Sequence, residues 1–365
     1  MIDETLLKQE EKAIFALRAL YRRYGYLPFK MSKFEEYELY IRNKDFLVSD
    51  RVITFNDTNG KLMALKPDVT LSIIKSGEDV PGVKQKVYYN ENVYRVSEST
   101  HQYKEIMQAG LECIGDIDLY DICEAILLAA ESLALIDENF VLEVSHLGLL
   151  GDALARVSSD KTFEAQAIRF IAGKNAHDLR RLCVEYGAEE SSIAMLETFI
   201  TTYGERSKVI AALKEVSASH MVSELEALSH MLEHSPYSDR IHFDFSVVND
   251  MNYYNHFAFR GFLDGVCESV LSGGQYDKLI RKMGRNSGAV GFALYLDLLE
   301  QLPKQSKGYD VDVLLIYDAS IETDKVAAKV RELTAQGFAV SAQKAVPEKL
   351  RYKLLVDMTK EGEEC

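Results

Sequence analysis

In the run Glu105–Ile114, Gln108, Gly110 and Glu112 alternate with Met107, Ala109, Leu111 and Cys113. In an extended chain that spacing sets an amide, a bare backbone and a carboxylate along one face and four apolar side chains along the other. Gln108 and Glu112 offer hydrogen bonds to a small cationic or donor-rich ligand, and Gly110 leaves room for its approach. The same row also reads as the solvated side of an ordinary strand.

Other candidates carry less. Asp68 and Thr70 in the stretch Lys66–Thr70 could serve a pocket or cap a helix beginning at Leu71. His230 and His234 fit the H-x-x-E-H arrangement of inverted zinc peptidases, which would put both on one helix face, but no third ligand is evident. The end of a helix also favours histidine against the dipole. The segment Gly273–Asp277 (GGQYD) lacks the G-x-x-x-x-G-K-[ST] spacing of a phosphate cradle and reads locally as a tight turn after a strand. With no G-x-S-x-G, nothing recommends nucleophilic catalysis.

These residues need elements to position them. Lys86–Asn90 and Val93–Arg95, then Glu105–Ile114, form two semi-apolar runs around the polar segment Val96–Lys104, the pattern of a long β-hairpin. Before it, residues 4–24 have helical periodicity ending at Gly25, and Asn59-Gly60 joins the runs 52–55 and 62–65 as a shorter hairpin. After it come a helix over 116–135, a strand over 140–144 and near-continuous helical pattern over 152–234. Strand character resumes at 241–248, 253–262 and 266–271, with helix or strand–helix elements over 276–283 and 289–302. Beyond a linker at 303–308, strands at 311–317, 338–342 and 352–356 and a helix at 322–336 make a small α/β module.

A chain of 365 residues is long enough for two or three domains with real cores. Its 57 acidic residues against 42 basic ones give a net charge of −15, which disfavours extended nucleic-acid binding. Five scattered cysteines without C-x-x-C point away from a disulfide framework or zinc ribbon. The charged N-terminal stretch and the lack of any long apolar run lead us to expect no signal peptide, no membrane span and a cytoplasmic location.

The order of the pieces says more than any one of them: K-P-D-x-T, a hairpin ending Q-A-G-L-E-C-I-G, a helical insertion, a Tyr-Tyr strand, G-G-Q-Y-D, then A-V-G-F-A. Over about residues 5–302 this resembles the class II histidyl-tRNA synthetase catalytic domain. Within that group it is most similar to the paralogues that act as regulatory subunits of ATP phosphoribosyltransferase in histidine biosynthesis. The resemblance implies an α+β fold in residues 1–302, a class II aminoacyl-tRNA synthetase-like antiparallel sheet flanked by helices, with a helical insertion at about 152–236. It implies a shortened anticodon-binding-like α/β module at 309–365.

The resemblance also implies a histidine pocket. Asp68 and Thr70 match the acid and threonine of P-E-x-T, which hold the ligand's amino group; Asp68 is one methylene shorter than the usual glutamate. Gln108, Gly110 and Glu112 match Q-x-G-x-E, with the glutamate facing the imidazole. Tyr253 and Tyr254 match the paired tyrosines, the second closing over the ring, and Arg95 is the retained arginine of motif 2. Elsewhere the chain departs from the synthetase pattern. Asn249, Gln275 and Leu298 stand where three arginines are expected, Ser97 and Gln102 replace a glutamate and an arginine of the motif 2 loop, and Ser32 replaces the motif 1 proline.

Amino-acid activation needs cations on the ATP phosphates, and losing one stabilising donor costs about 3 kcal/mol, roughly a hundredfold in rate. The resemblance therefore implies a non-catalytic regulatory subunit with no metal and no cofactor of its own. It implies a short-form ATP phosphoribosyltransferase catalytic subunit as partner, histidine as ligand, and a homodimer within a hetero-oligomer, with no nucleic acid and no membrane bound. Two alternatives stand beside it: a divergent histidine–tRNA ligase and a synthetase paralogue that senses an amino acid.

Overall fold

The computed structural model describes residues 7–47, 51–97, 100–248, 253–302 and 308–360. Asn249 lies outside them, as do the linker residues 303–307 and Cys365. The chain divides into two compact units, Met1–Leu302 and Pro303–Cys365.

The first unit begins with α1 (Gln9–Arg23) and β1 (Leu27–Pro28). A small antiparallel sheet follows, from β2 (Phe34–Glu36), β3 (Thr54–Asn56) and β4 (Leu62–Leu65), with α2 (Tyr37–Arg42) after its first strand. Gly60, at φ +79°, makes the turn between β3 and β4 that the Asn-Gly pair predicts. Helix α3 (Thr70–Ser76) then leads to β5 (Gln85–Val96) and β6 (Tyr103–Gly115). These two strands form the expected long hairpin, in register from Gln85 opposite Ile114 to Val96 opposite Tyr103.

Helix α4 (Leu119–Ala134) starts where the Asp118 carboxylate accepts the Tyr120 and Asp121 N–H groups. After β7 (Phe140–His146) the chain leaves the sheet for six helices: α5 (Leu147–Val157), α6 (Lys161–Ala172), α7 (Ala176–Glu185), α8 (Glu190–Thr201), α9 (Arg206–Val216) and α10 (His220–Leu232). It returns as β8 (Ile241–Phe243), β9 (Phe257–Leu263) and β10 (Leu271–Gln275), then α11 (Asp277–Lys282) and β11 (Gly288–Tyr295).

The main sheet has eight strands in the order β1-β5-β6-β11-β10-β9-β7-β8. Its central pairs are antiparallel, and only the outer pairs β1–β5 and β7–β8 are parallel. This is the α+β, class II synthetase-like architecture. One sheet face is apolar and dry. Ala109, Leu111 and Cys113 of β6, with Phe292 and Leu294 of β11, share a core with Ile122, Ile126 and Leu133 of α4. Tyr21 of α1 packs there too, its hydroxyl 3.0 Å from Ser132 Oγ.

Several strand bounds differ from the sequence expectation; of the run 266–271 only Leu271 is in a strand, the first residue of β10. The run 241–248 pairs only over Ile241–Phe243, and β9 begins at Phe257, so Tyr253 and Tyr254 precede the strand. Gly273 and Gly274 are also inside β10 and do not end it. A Cβ on Gly273 would come within 2.4 Å of the Phe259 ring, and one on Gly274 within 2.7 Å of the Tyr254 ring. Glycine is needed there for close packing, with neighbours filling the space of the missing side chains. Of the H-x-x-E-H match, α10 ends at Leu232 and His234 falls just past it, yet the His230 and His234 rings still meet edge to face at 6.4 Å between centroids; among the described residues no group of three or more His, Cys, Asp or Glu side chains could hold a metal ion.

The second unit is a three-stranded parallel sheet, β13 (Val340–Gln343), β12 (Val311–Ile316) and β14 (Tyr352–Asp357) in that order, with α12 (Thr323–Ala335) following β12. Val313, Leu314 and Leu315 of the central strand are buried.

Candidate functional site

The opposite face of the sheet floors a cavity of about 360 Å³. Strand alternation puts Gln108, Gly110 and Glu112 on this face, and register aligns their neighbours. Gly291, Ala293 and Tyr295 of β11 lie beside Glu112, Gly110 and Gln108, respectively. The six sequence-derived residues Asp68, Thr70, Arg95, Gln108, Tyr253 and Tyr254 all line the cavity together with Glu112.

Glu112 is the centre of the arrangement and only 2% exposed. Its Oε1 accepts from Thr70 Oγ1 at 2.7 Å, and its Oε2 accepts from the Tyr276 hydroxyl at 2.5 Å. Gly291 leaves room for it: a Cβ there would lie 1.8 Å from Glu112 Oε2. Burial pushes the Glu112 carboxyl up to about 8; its two hydrogen bonds pull against that, and the nearby Asp68 adds to it.

Asp68 fills both roles the sequence left open. Its Oδ1 accepts the Leu71 N–H at 2.9 Å, capping the first turn of α3, and the residue also lines the cavity. Burial raises its carboxyl above the ordinary range, while the Leu71 N–H, the Arg95 charge and the Thr70 N–H lower it. Arg95 is held by its own bond, Nε to the Pro67 carbonyl at 2.9 Å. The turn is further pinned by Lys66, whose Nζ lies 2.5 Å from Glu91 Oε2 and whose side chain is 1% exposed.

Aromatic side chains close the cavity. Tyr253 and Tyr254 meet edge to face at 4.8 Å between ring centroids, and Tyr253 also packs on Tyr276 at 5.8 Å. Burial holds the hydroxyls of Tyr89, Tyr253 and Tyr276 well above their ordinary pKa, so they stay neutral donors. Gly110 is used differently from the expectation. A Cβ there would lie 2.2 Å from the Phe292 carbonyl and 2.6 Å from the Tyr89 hydroxyl, so Tyr89 takes up the space reserved for a ligand's approach.

Among the cavity residues not foreseen from the sequence, three stand out. Tyr276 was visible only inside a glycine-rich turn, Tyr89 became relevant as the cross-strand partner of Gly110, and Arg260 of β9 carried no motif. A larger groove of about 1030 Å³ lies on the helical insertion, but Arg206 on its wall is already bonded to Ser229 Oγ, Ser238 Oγ and the Ile241 carbonyl. The sheet cavity is the better ligand site, because its buried carboxylates gain from an incoming cation.

The sequence model of the family described as histidyl-tRNA synthetase matches residues 2–299. The chain belongs to the histidyl-tRNA synthetase family. Among family relatives, an ATP phosphoribosyltransferase regulatory subunit of Bacillus cereus (strain AH187) is 24% identical over 326 residues, covering 86% of this chain and 77% of the relative. A solved structure from Bacillus halodurans, described as an ATP phosphoribosyltransferase regulatory subunit/histidyl-tRNA synthetase, aligns with a TM-score of 0.75 at 22% identity, covering 98% of this chain and 96% of that one. A chain from an ATP phosphoribosyl transferase complex of Thermotoga maritima aligns with a TM-score of 0.63 at 20% identity, covering 79% of this chain and 97% of that one. Among the described residues, no helix is long and apolar enough to cross a membrane.

Proposed function

We propose that this family member is a non-catalytic regulatory subunit of ATP phosphoribosyltransferase, acting in histidine biosynthesis. It activates a short-form catalytic subunit, binds histidine in the sheet cavity and contributes to feedback control as a homodimer within a hetero-oligomer. The observation that carries the reading is the contrast between the two parts of the family site. The residues matched to the family's amino-acid pocket converge: Asp68, Thr70, Gln108 and Glu112 line one cavity, with Tyr276 bonded to Glu112. At positions where the synthetase pattern has cations, other side chains serve the fold. The Gln275 amide donates to Asp277 Oδ2 at 2.9 Å, and Leu298 packs on the core.

Tyr295 adds to the contrast. It opens the segment Tyr295–Leu298 that stands where G-x-E-R is expected, pairs with Gln108 and lines the cavity. Regulation then follows from linkage. Histidine that binds one assembly state more tightly than another shifts the population of active complexes by its differential affinity.

The test is co-purification with a short-form catalytic subunit, followed by an ATP phosphoribosyltransferase assay with and without histidine. Restored activity that histidine lowers is the expected result. Failure to bind or activate that partner would sink the proposal, and histidine-dependent ATP–pyrophosphate exchange by this chain alone would favour the ligase reading.

A further inference from the structure

One row of the cavity floor runs across the sheet by register: Tyr89 of β5, Gly110 of β6, Ala293 of β11, Ser272 of β10 and Arg260 of β9. Small side chains occupy its middle, and the two large ones stand at its ends. With strands about 4.8 Å apart, β6 and β9 are separated by roughly 14 Å, less the reach of their side chains. The flanking rows differ in character. Glu112, with Asp68 and Thr70 above it, lies at the β6 end, while Arg260, Ser269 and Ser272 line the other. Two carboxylates, with Arg95 beside Asp68, thus stand at one end of the cavity, and a second arginine stands at the other.

A second observation points to a ligand between these ends. Gln108 is 3% exposed and lines the cavity, yet its side-chain amide makes no hydrogen bond among the described residues. Its amide opens onto the cavity and offers donors and an acceptor to what fills it.

We infer that Arg260, with Ser272 opposite it, binds the carboxylate of a zwitterionic amino acid whose ammonium or imidazole end lies against Asp68 and Glu112. This rests on the proposed reading of the cavity as an amino-acid pocket and gives that pocket a specificity determinant outside the family pattern. The arginine expected at position 249 is an asparagine, and Arg260 of β9 supplies the cation instead. Other charges face Arg260 as well. Glu143 of β7 is directly opposite and within its field, and Lys174, bonded to Asp244 Oδ2 at 2.6 Å, lies beyond. A guanidinium has five donors in a planar fork, enough to face Glu143 on one side and a ligand carboxylate on the other.

The experiment is calorimetric titration of the full chain with L-histidine and with histidinol, which lacks the carboxylate. The unmodified protein should prefer histidine. Arg260→Gln should weaken histidine by about ten- to a hundredfold, the worth of a charge-assisted hydrogen bond, and leave histidinol within about twofold. Ser272→Asp, which sets a carboxylate beside Arg260, should also weaken histidine selectively and keeps the test independent of how R260Q folds. Equal loss of both ligands in the two variants, or no loss of histidine, would overturn the assignment while leaving the pocket intact. No histidine binding by the unmodified protein would overturn the assignment together with the pocket reading.

Discussion

Thr70 Oγ1 donates to Glu112 Oε1 across 2.7 Å, fastening the first residue of α3 to the strand that floors the cavity. Asp68, two residues earlier, caps the same helix. One short helix thus presents a hydroxyl and a carboxylate to the sheet in fixed positions, and the consequences can be measured.

Ligand binding should move a proton. Glu112 titrates at about 8, so at pH 7 most of it is protonated, and a cationic group placed beside it favours the ionised form. Histidine affinity should therefore rise between pH 6 and 8, and calorimetry in buffers of different ionisation enthalpy should register proton release. Glu112→Gln should remove the part of that dependence due to the carboxylate. An identical pH profile in the variant would place the proton elsewhere.

Folding stability should show the opposite slope. The native state holds the Glu112 proton up to about pH 8, whereas the ordinary value is 4.5. Between those values the folded protein binds more protons than the unfolded one, so this contribution is full below about pH 4.5 and is lost as pH rises toward 8. Asp68, shifted in the same direction, adds to the trend. Denaturant melts of the unmodified protein and of E112Q across this range should differ in slope, the variant being flatter.

Gly110→Ala should cost about 1–3 kcal/mol, the usual penalty of overpacking. The new methyl meets the Phe292 carbonyl at 2.2 Å, on the neighbouring strand. Adding Tyr89→Phe removes the hydroxyl 2.6 Å away but not that carbonyl, so the double variant should recover little. Full recovery would mean that the phenol alone sets the requirement for glycine.

Lys66 and Glu91 make a pair with side chains 1% and 16% exposed. Lys66→Met should destabilise the protein by about 3–5 kcal/mol, because it strands the Glu91 carboxylate. Lys66→Met combined with Glu91→Leu should regain most of that loss. A double variant no more stable than K66M would show that the lysine acts through the Pro67–Asp68 turn and not through its charge.

Much of this was legible because the relevant signals are local. Alternation over 105–114 assigned Gln108 and Glu112 to one face, and Asn59-Gly60 announced its turn, since both depend only on residues close in sequence. What stayed hidden depends on register between distant strands. Gly273 and Gly274 looked like a turn until Phe259 and Tyr254 were seen filling their empty side-chain space. Arg260 likewise reaches the cavity only because β9 is ordered two strands from β11. The short extent of β8 has the same cause, as pairing with β7 stops where the chain turns away at Asp244.

The bond from Tyr276 to Glu112 joins residues 164 positions apart. During synthesis the hairpin β5–β6 can form from neighbouring sequence, but its polar face must wait for the helical insertion and for β10 and β11 to emerge. Until then Glu112 lacks the partner and the cover that bury it. The cavity floor can be completed only when nearly all of the first unit has been made.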